Sequence, residues 1–423
     1  MIAIDTSLNI ADMGQRAKIA SYTLATLTTD HKNAAITRIA DLLEHHTPTI
    51  LEANRRDIER AKSNGVDPVW IRDRMDLEHR MQGIITDVCS VISLPDPVGL
   101  EFAQRDLPPN LQVSKRRVPI GVLGVIYESR PNVTVDVSTL ALKTGNAVIL
   151  RGGSDTLATN LSLVEVLRQA LRETDIPDDA MQYIASTDRR YVMDMLKLHQ
   201  HIDMIIPRGG NSLHTFCRDN STIPVIIGGM GICHLFVDDT ANLEASLPVI
   251  ANAKTQRPAV CNSLDTLLVH ASVAAQFLPV VVENLGEQGV QFRAEPRALA
   301  HLDDDRVSGA GDEDFDTEWM GLTLGLKVVD SLDEAIAHIR QHSTQHSDGI
   351  LTENTKNAAH FLNAVDSAAV YWNASTRFTD GSALGLGAEV AISTQKLHAR
   401  GPMALEELTT YKWVVVGQYT ARP

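Results

Sequence analysis

Cysteine is scarce, with four in 423 residues, at positions 89, 217, 233 and 261. Their spacings form no paired metal-ligand motif, and so few thiols make no disulfide framework. No metal site is expected, and a reducing compartment is. No stretch approaches the ~18 consecutive apolar residues of a membrane span. The opening MIAIDTSLNIADMGQRAKIA has no apolar signal core and no cleavage-like site, so a cytoplasmic location and no membrane partner are expected. Basic residues are outnumbered, 38 Lys and Arg against 53 Asp and Glu, for a net charge of −15. That balance argues against a nucleic-acid partner. A G-x-G-x-x-G dinucleotide fingerprint is also missing, so a standard Rossmann dehydrogenase is not supported. What remains is ordinary globular usage, 44% hydrophobic and 22% charged, which excludes a disordered chain. At about 150 residues per domain, the length allows two to three domains.

Residues 12–63 have the helical period, with Ile36, Ile39, Leu42 and Leu43 on one stripe and Gly65 as a stop. Pro95, Pro97, Pro108 and Pro109 punctuate the next stretch, and LQVSKRRVPIG then reads as extended. GVLGVIYE (121–128), NAVILRG (146–152), MQYIAS, IDMIIPRGG and TIPVIIGG read as strands separated by helical patterns such as TNLSLVEVLRQALRET. This alternation predicts βαβ units and a mostly parallel sheet, with Gly and polar residues gathered at strand ends at 151–154 and 208–211. A second alternating block runs from about 236 to 380. In it DTLLVH, LGLKVVD, SDGILT and AAVYWN read as strands, and Ser331 with Glu334 makes a capping box. The acidic stretch 303–318 reads as a solvated loop, and His342 and His346 as solvated surface. The tail EELTTYKWVVVGQY reads as a strand whose partner is the early extended segment, of the same chain or of a neighbouring subunit.

The segment NAKTQRPAVCNSLDTLLVH (252–270) places Cys261 just ahead of a strand, with Lys254 and Arg257 nearby in sequence. Such cations favour a thiolate. A cysteine in this setting is either a nucleophile or a small buried apolar residue. Three further segments, 118–136, 148–160 and 373–403, concentrate Gly and polar residues in apolar surroundings. Glycine loops at strand ends either cradle phosphate or simply turn the chain.

The motifs YESRPNVTVD, LKTGNAVILRGGS, IIPRGGN, NAKTQRPAVCN, NASTRFTDG, GLGAE and ISTQKLHARGPM, taken together along the chain, closely resemble the glutamate-5-semialdehyde dehydrogenase (gamma-glutamyl phosphate reductase) family of the aldehyde dehydrogenase superfamily. The resemblance implies an aldehyde dehydrogenase-like pair of α/β domains. Residues 1–104 and 119–235 would form the cofactor-binding domain and 236–380 the catalytic domain. Residues 105–118 and 404–423 would be oligomerisation strands, and 381–403 a return segment lining the site. It implies that Cys261 is the catalytic thiol and that Asn132 helps hold the oxyanion. It implies that Arg151, with Gly152, Gly153 and Ser154, binds NADPH, Arg151 at the 2′-phosphate. Arg208, Gly209 and Gly210 would face the cofactor, and Glu318 would bind the nicotinamide ribose. Hydrolytic members carry a Glu two residues before a Gly-Gly pair; here Ile226 stands at that position, ahead of Gly228-Gly229. A site without that base suits exchange with phosphate rather than hydrolysis.

The implied reaction is NADPH-dependent reduction of L-glutamyl 5-phosphate to L-glutamate 5-semialdehyde and phosphate, through a cysteine thioester, in proline biosynthesis. The candidates for the substrate's phosphate and carboxylate are Arg130, Lys254, Arg257, Arg377, His398 and Arg400, since Arg grips such groups bidentately. Asn373, Ser375, Thr376 and Arg377 are expected to line the pocket, and Gly385 and Gly387 to shape the backbone. A homo-oligomer and a transient contact with glutamate 5-kinase are expected. The competing readings are an acylating enzyme that handles a coenzyme A ester and a silent scaffold for the kinase.

Overall fold

A computed structural model of the chain describes residues 8–108 and 110–422. Residues 1–7 of the opening stretch, the turn proline Pro109 and Pro423 of the tail segment lie outside the described residues. The chain forms two compact units. One holds the chain up to Ile227, with Leu386–Ala391 and the segment from Met403 onward; the other holds Gly228–Gly385 and Ile392–Pro402.

The first unit opens with the helices Ile10–Leu24 and Thr29–Ser63. The Thr28 hydroxyl accepts the His31 N–H at 3.2 Å and so caps the second helix. Ile36, Ile39, Leu42 and Leu43 are buried as one stripe. Gly65, at φ +76°, ends the helix and donates its N–H to the Lys62 carbonyl.

Four parallel strands follow, in the spatial order Met181–Tyr183, Ala147–Arg151, Val122–Tyr127, Met204–Arg208. Val122–Tyr127 is buried throughout, as a parallel strand covered on both faces must be. The chain winds outward from 122–127 to 181–183, then returns to the other side of 122–127. This puts a topological switch point between the ends of 122–127 and 204–208. The expected strand over 222–229 shrinks to two isolated bridges, Val225 with Ile205 and Gly228 with Ser393. Beside the first, Ile226 is buried and donates its N–H to the Ile205 carbonyl.

The tail strand Thr409–Val416 pairs antiparallel with Leu111–Pro119 of the same chain, from Thr409–Pro119 to Val416–Gln112. Glu101–Leu107 flanks the other side of Leu111–Pro119. The proline-punctuated stretch therefore holds a strand, with a register break between Phe102 and Arg105, where Ala103 takes φ +52°. Asn146 ties this sheet to the parallel one. It accepts the Gly121 N–H and donates to the Leu408 carbonyl and the Thr144 hydroxyl, each at 2.8 Å. Asn146→Ala leaves buried backbone groups unpaired, so a stability loss of about 3 kcal/mol is expected from urea denaturation. An unchanged midpoint would show that these bonds hold nothing together.

The second unit is built on seven parallel strands. Their spatial order is Val307–Gly309, Gln291–Ala294, Thr323–Val329, Leu264–His270, Cys233–Val237, Ser347–Leu351, Ala369–Trp372. Leu235, Val237, Leu267 and Val269 face one core with Phe277 and Leu278. Phe236, Leu268 and Ile350 face the other with Ile336, Ile339 and Phe361. The alternation is the period of a strand, doubled because both faces are covered.

Several expectations are corrected here. Cys233–Val237 starts ahead of the expected 235/236 border because it is a central strand of this sheet. The acidic stretch 303–318 contains the edge strand Val307–Gly309. His346 is not surface: it is fully buried, 2.8 Å from the Ser347 hydroxyl, and burial lowers its pKa to about 4. His342 is mostly enclosed beside Asp316, at 2.8 Å. The Ser331 hydroxyl accepts the Glu334 N–H at 3.2 Å, but the reciprocal arm of the box reaches the Asp330 N–H.

Candidate active site

In the second unit the helix Leu243–Thr255 leads into a turn that delivers Cys261 to the N-terminal edge of the sheet, ahead of Leu264–His270. The Ser263 N–H donates to the Val260 carbonyl at 3.0 Å and closes the turn. Cys261 is partly buried. Its carbonyl accepts the Cys233 S–H at 3.2 Å. The same carbonyl lies so close to Gly231 that a Cβ there would stand 1.6 Å from the oxygen. Asn262 fixes the other side. Its amide donates to the carbonyls of Arg377 and Thr379 at 3.3 and 2.9 Å, and its own carbonyl accepts the Thr376 hydroxyl at 2.8 Å.

The two cations expected beside the thiol part company. Lys254 is fully buried; its ammonium donates to the Leu264 carbonyl at 2.8 Å and lies 3.6 Å from Asp265. Burial lowers its pKa, opposed by Asp265. The helix turns Lys254 inward, while Arg257 is exposed. Arg377, held to Gln256 at 3.1 Å, is half-buried and lies within electrostatic range of Arg257 and of the Cys261 thiol.

The remaining candidates of this unit divide in the same way. Asn373, at φ +53°, spends its amide on the backbone of Thr352, accepting its N–H at 2.9 Å and donating to its carbonyl at 3.0 Å. Ser375 is buried and accepts the Arg377 N–H at 3.3 Å. These groups, with Thr376, build the loop that carries Arg377. Arg400 donates to Asp366 at 2.6 Å, and Lys396 also pairs with Asp366. Hydrogen bonds from Lys396 and Arg400 pull the Asp366 carboxyl down to about 2. His398 is exposed. Glu318 leaves the acidic surface for the Cys261 edge. It accepts the Gly231 N–H at 2.9 Å, and burial raises its pKa. Gly231 and Asp265 escaped notice in the sequence, and Cys233 was noted only as one of the four cysteines. The one available signal was Asp265, a charge inside an apolar strand.

In the first unit the polar loops gather at the switch point. Glu128 follows strand 122–127, and its carboxylate accepts the Gly210 N–H at 3.1 Å, at the start of the helix Asn211–Asn220. A Cβ on Gly209 would stand 2.5 Å from that carboxylate. A Cβ on Gly152 would meet Asn160 at 2.3 Å and the Tyr127 ring at 3.0 Å, and one on Gly153 the Ser129 nitrogen at 3.2 Å. Arg208 closes its strand, its carbonyl accepting the Glu128 N–H at 3.0 Å. The Ser154 carbonyl accepts from Arg60 at 3.2 Å. The space beside Gly152 and Gly209 is taken by side chains of the protein itself, Asn160, Tyr127 and Glu128.

Arg151 is 8% exposed, and its terminal nitrogens donate to the carbonyls of Gly152 and Thr187. Its Nε is buried and makes no hydrogen bond among the described residues. Arg130 is exposed in the loop before the helix Asn132–Lys143. Asn132, the first residue of that helix, accepts from Arg80 at 3.1 Å and donates to Asp136 at 2.8 Å. Burial pushes the Asp136 carboxyl up to about 6. Among the described residues, no helix is long and apolar enough to cross a membrane.

Residues 5–295 match the aldehyde dehydrogenase family. The gamma-glutamyl phosphate reductase of Shewanella piezotolerans is 55% identical over 413 residues, covering 97% of this chain and 98% of its own. The crystal structure of gamma-glutamyl phosphate reductase from Thermotoga maritima aligns with a TM-score of 0.95 at 47% identity, covering 97% of this chain and 99% of its own. An engineered glycolyl-CoA reductase solved with bound NADP⁺ has a TM-score of 0.69 at 16% identity, covering 99% of this chain and 98% of its own, which is a likeness of fold. The two parallel sheets are those of an aldehyde dehydrogenase-like α/β fold, and the chain belongs to the gamma-glutamyl phosphate reductase family of aldehyde dehydrogenases.

Proposed function

We propose that this enzyme reduces L-glutamyl 5-phosphate to L-glutamate 5-semialdehyde and phosphate with NADPH, as a step of proline biosynthesis. The observation that carries the reading is near-full-length likeness to gamma-glutamyl phosphate reductases, in a chain whose Cys261 sits in a braced turn at a sheet edge. The Cys261 thiolate attacks the acyl phosphate carbonyl, the C–O bond to phosphate breaks, and a thioester remains. The charge of Arg377 opposes the negative charge on the attacking sulfur. Arg257 and Arg377, with Arg130 and His398, are the candidates for phosphate and carboxylate. The Cys261 N–H and the Asn132 amide are proposed as oxyanion donors, the latter by exchanging its bond to Asp136.

Gly152, Gly153, Ser154, Arg208, Gly209 and Gly210 are proposed to carry the nicotinamide coenzyme, with Glu318 as its ribose ligand. When bound, the coenzyme supplies the hydride that reduces the thioester carbonyl. The aldehyde then leaves with the carbonyl carbon, and the sulfur regains its proton. With Ile226 where hydrolytic relatives carry Glu, no side chain at that position activates water, and the thioester is spared hydrolysis. A cytoplasmic location suits a biosynthetic enzyme with four free thiols. The exposed Tyr411, Trp413 and Val415 on the edge strand support a homo-oligomer. The lability of an acyl phosphate supports transient contact with glutamate 5-kinase.

The test runs the reaction backward. With NADP⁺ and the semialdehyde, reduced nicotinamide should accumulate only when phosphate is present, and iodoacetamide should abolish it. Accumulation with coenzyme A in place of phosphate would defeat the proposal. Arg151→Ala should weaken NADPH binding about tenfold more than NADH binding, because a forked guanidinium meets a 2′-phosphate that NADH lacks. Equal losses by titration would confine Arg151 to bracing the Gly152 and Thr187 loops.

A further inference from the structure

The strand after Cys261 carries one acidic side chain in an apolar run, Asp265, and the sheet makes room for it. Cys233 pairs with Leu264 and His234 with Thr266, so Asp265 is the extra residue of a bulge. Bulges recur next to active sites, where they re-aim side chains. Asp265 is buried; its carboxylate accepts the Trp319 N–H at 3.3 Å and lies 3.6 Å from the Lys254 ammonium. The Cys233 backbone N–H also stabilises its ionised form. Both backbone partners belong to the support of Cys261. Trp319 adjoins Glu318, which takes the Gly231 N–H, and Gly231 abuts the Cys261 carbonyl. The Cys233 thiol donates to that same carbonyl.

We propose that Asp265 is a positioning residue: from the bulge its carboxylate sets residues 231–233 and 318–319 against the Cys261 carbonyl, and so aims the Cys261 sulfur and N–H. The inference rests on Cys261 being the nucleophile. Asp265 itself touches neither substrate nor coenzyme.

The test compares Asp265→Asn, which keeps an acceptor for the Trp319 N–H, with Asp265→Leu, which does not. The Asn variant should keep kcat within about fivefold of wild type. The Leu variant should lose about thirtyfold or more in kcat, with KM changed less than about threefold and with a parallel fall in the rate of Cys261 alkylation by iodoacetamide. If the Leu variant does not fold, Asp265→Ser, whose shorter side chain falls short of Trp319, takes its place. Equal kcat in the Asn and Leu variants, or a loss in Leu without slower alkylation, overturns the proposal. Full activity in Cys261→Ala would instead defeat the nucleophile assignment. The alkylation rates of the Asp265 pair would still report the geometry of the turn.

Discussion

Cys261→Ala should lower kcat by about 10⁴-fold or more, since removing a covalent nucleophile takes away the step that every later step needs. Melting should stay close to wild type, because the side chain is only partly buried and the main-chain carbonyl that accepts the Cys233 S–H is kept in the variant. The direct check is mass spectrometry. Incubation with the acyl phosphate in the absence of coenzyme should add one glutamyl group to the peptide bearing Cys261, and none in the variant. Label on the Cys233 peptide would move the chemistry to another sulfur. The structure argues against that: Cys233 is fully buried, and burial raises its thiol pKa well above the usual range. Cys217 is buried too, its thiol pushed up to about 11.

Gly231→Ala should be the most damaging change that touches no reacting group. The added methyl would stand 1.6 Å from the Cys261 carbonyl oxygen and 2.6 Å from its carbon, so backbone must move. Displacement of a reacting group by about 1 Å is enough for a loss of about 10²-fold. A fall of that size in kcat is expected, together with a lower melting temperature and slower alkylation of Cys261. The glycine is required here by the close approach of two backbones rather than by its φ. Wild-type kinetics in Gly231→Ala would mean that the turn tolerates movement, and would weaken the case for Asp265 as well.

The sequence disclosed elements that form continuous apolar runs and hid those that do not. Val122–Tyr127 and Leu264–His270 are parallel strands buried on both faces, so composition alone marks them. Gln291–Ala294 and Val307–Gly309 are short and lie toward one edge of the sheet, among charged residues, and left no such mark. The family resemblance implies the role of Cys261, and its place beside charged residues ahead of a strand was visible in the sequence. Its supports were not, because they are built from backbone: a glycine chosen for its missing side chain, and carbonyls and N–H groups that every residue owns. Lys254 shows what nearness in sequence leaves out. Nearness in sequence made it a candidate for the substrate, but its helix directs it into the interior, where its partner is the Leu264 carbonyl. Asn373, Ser375 and Thr376 are expected to line the pocket from the NASTRFTDG motif. What the motif does not disclose is that their side chains also hold their own loop in place.

The pairing of Thr409–Val416 with Leu111–Pro119 has a consequence for biosynthesis. Some three hundred residues, the whole of the second unit among them, emerge from the ribosome between these partners. The hairpin at 101–119 therefore spends most of translation with one flank open and its backbone donors unanswered, an invitation to stray pairing with other nascent chains.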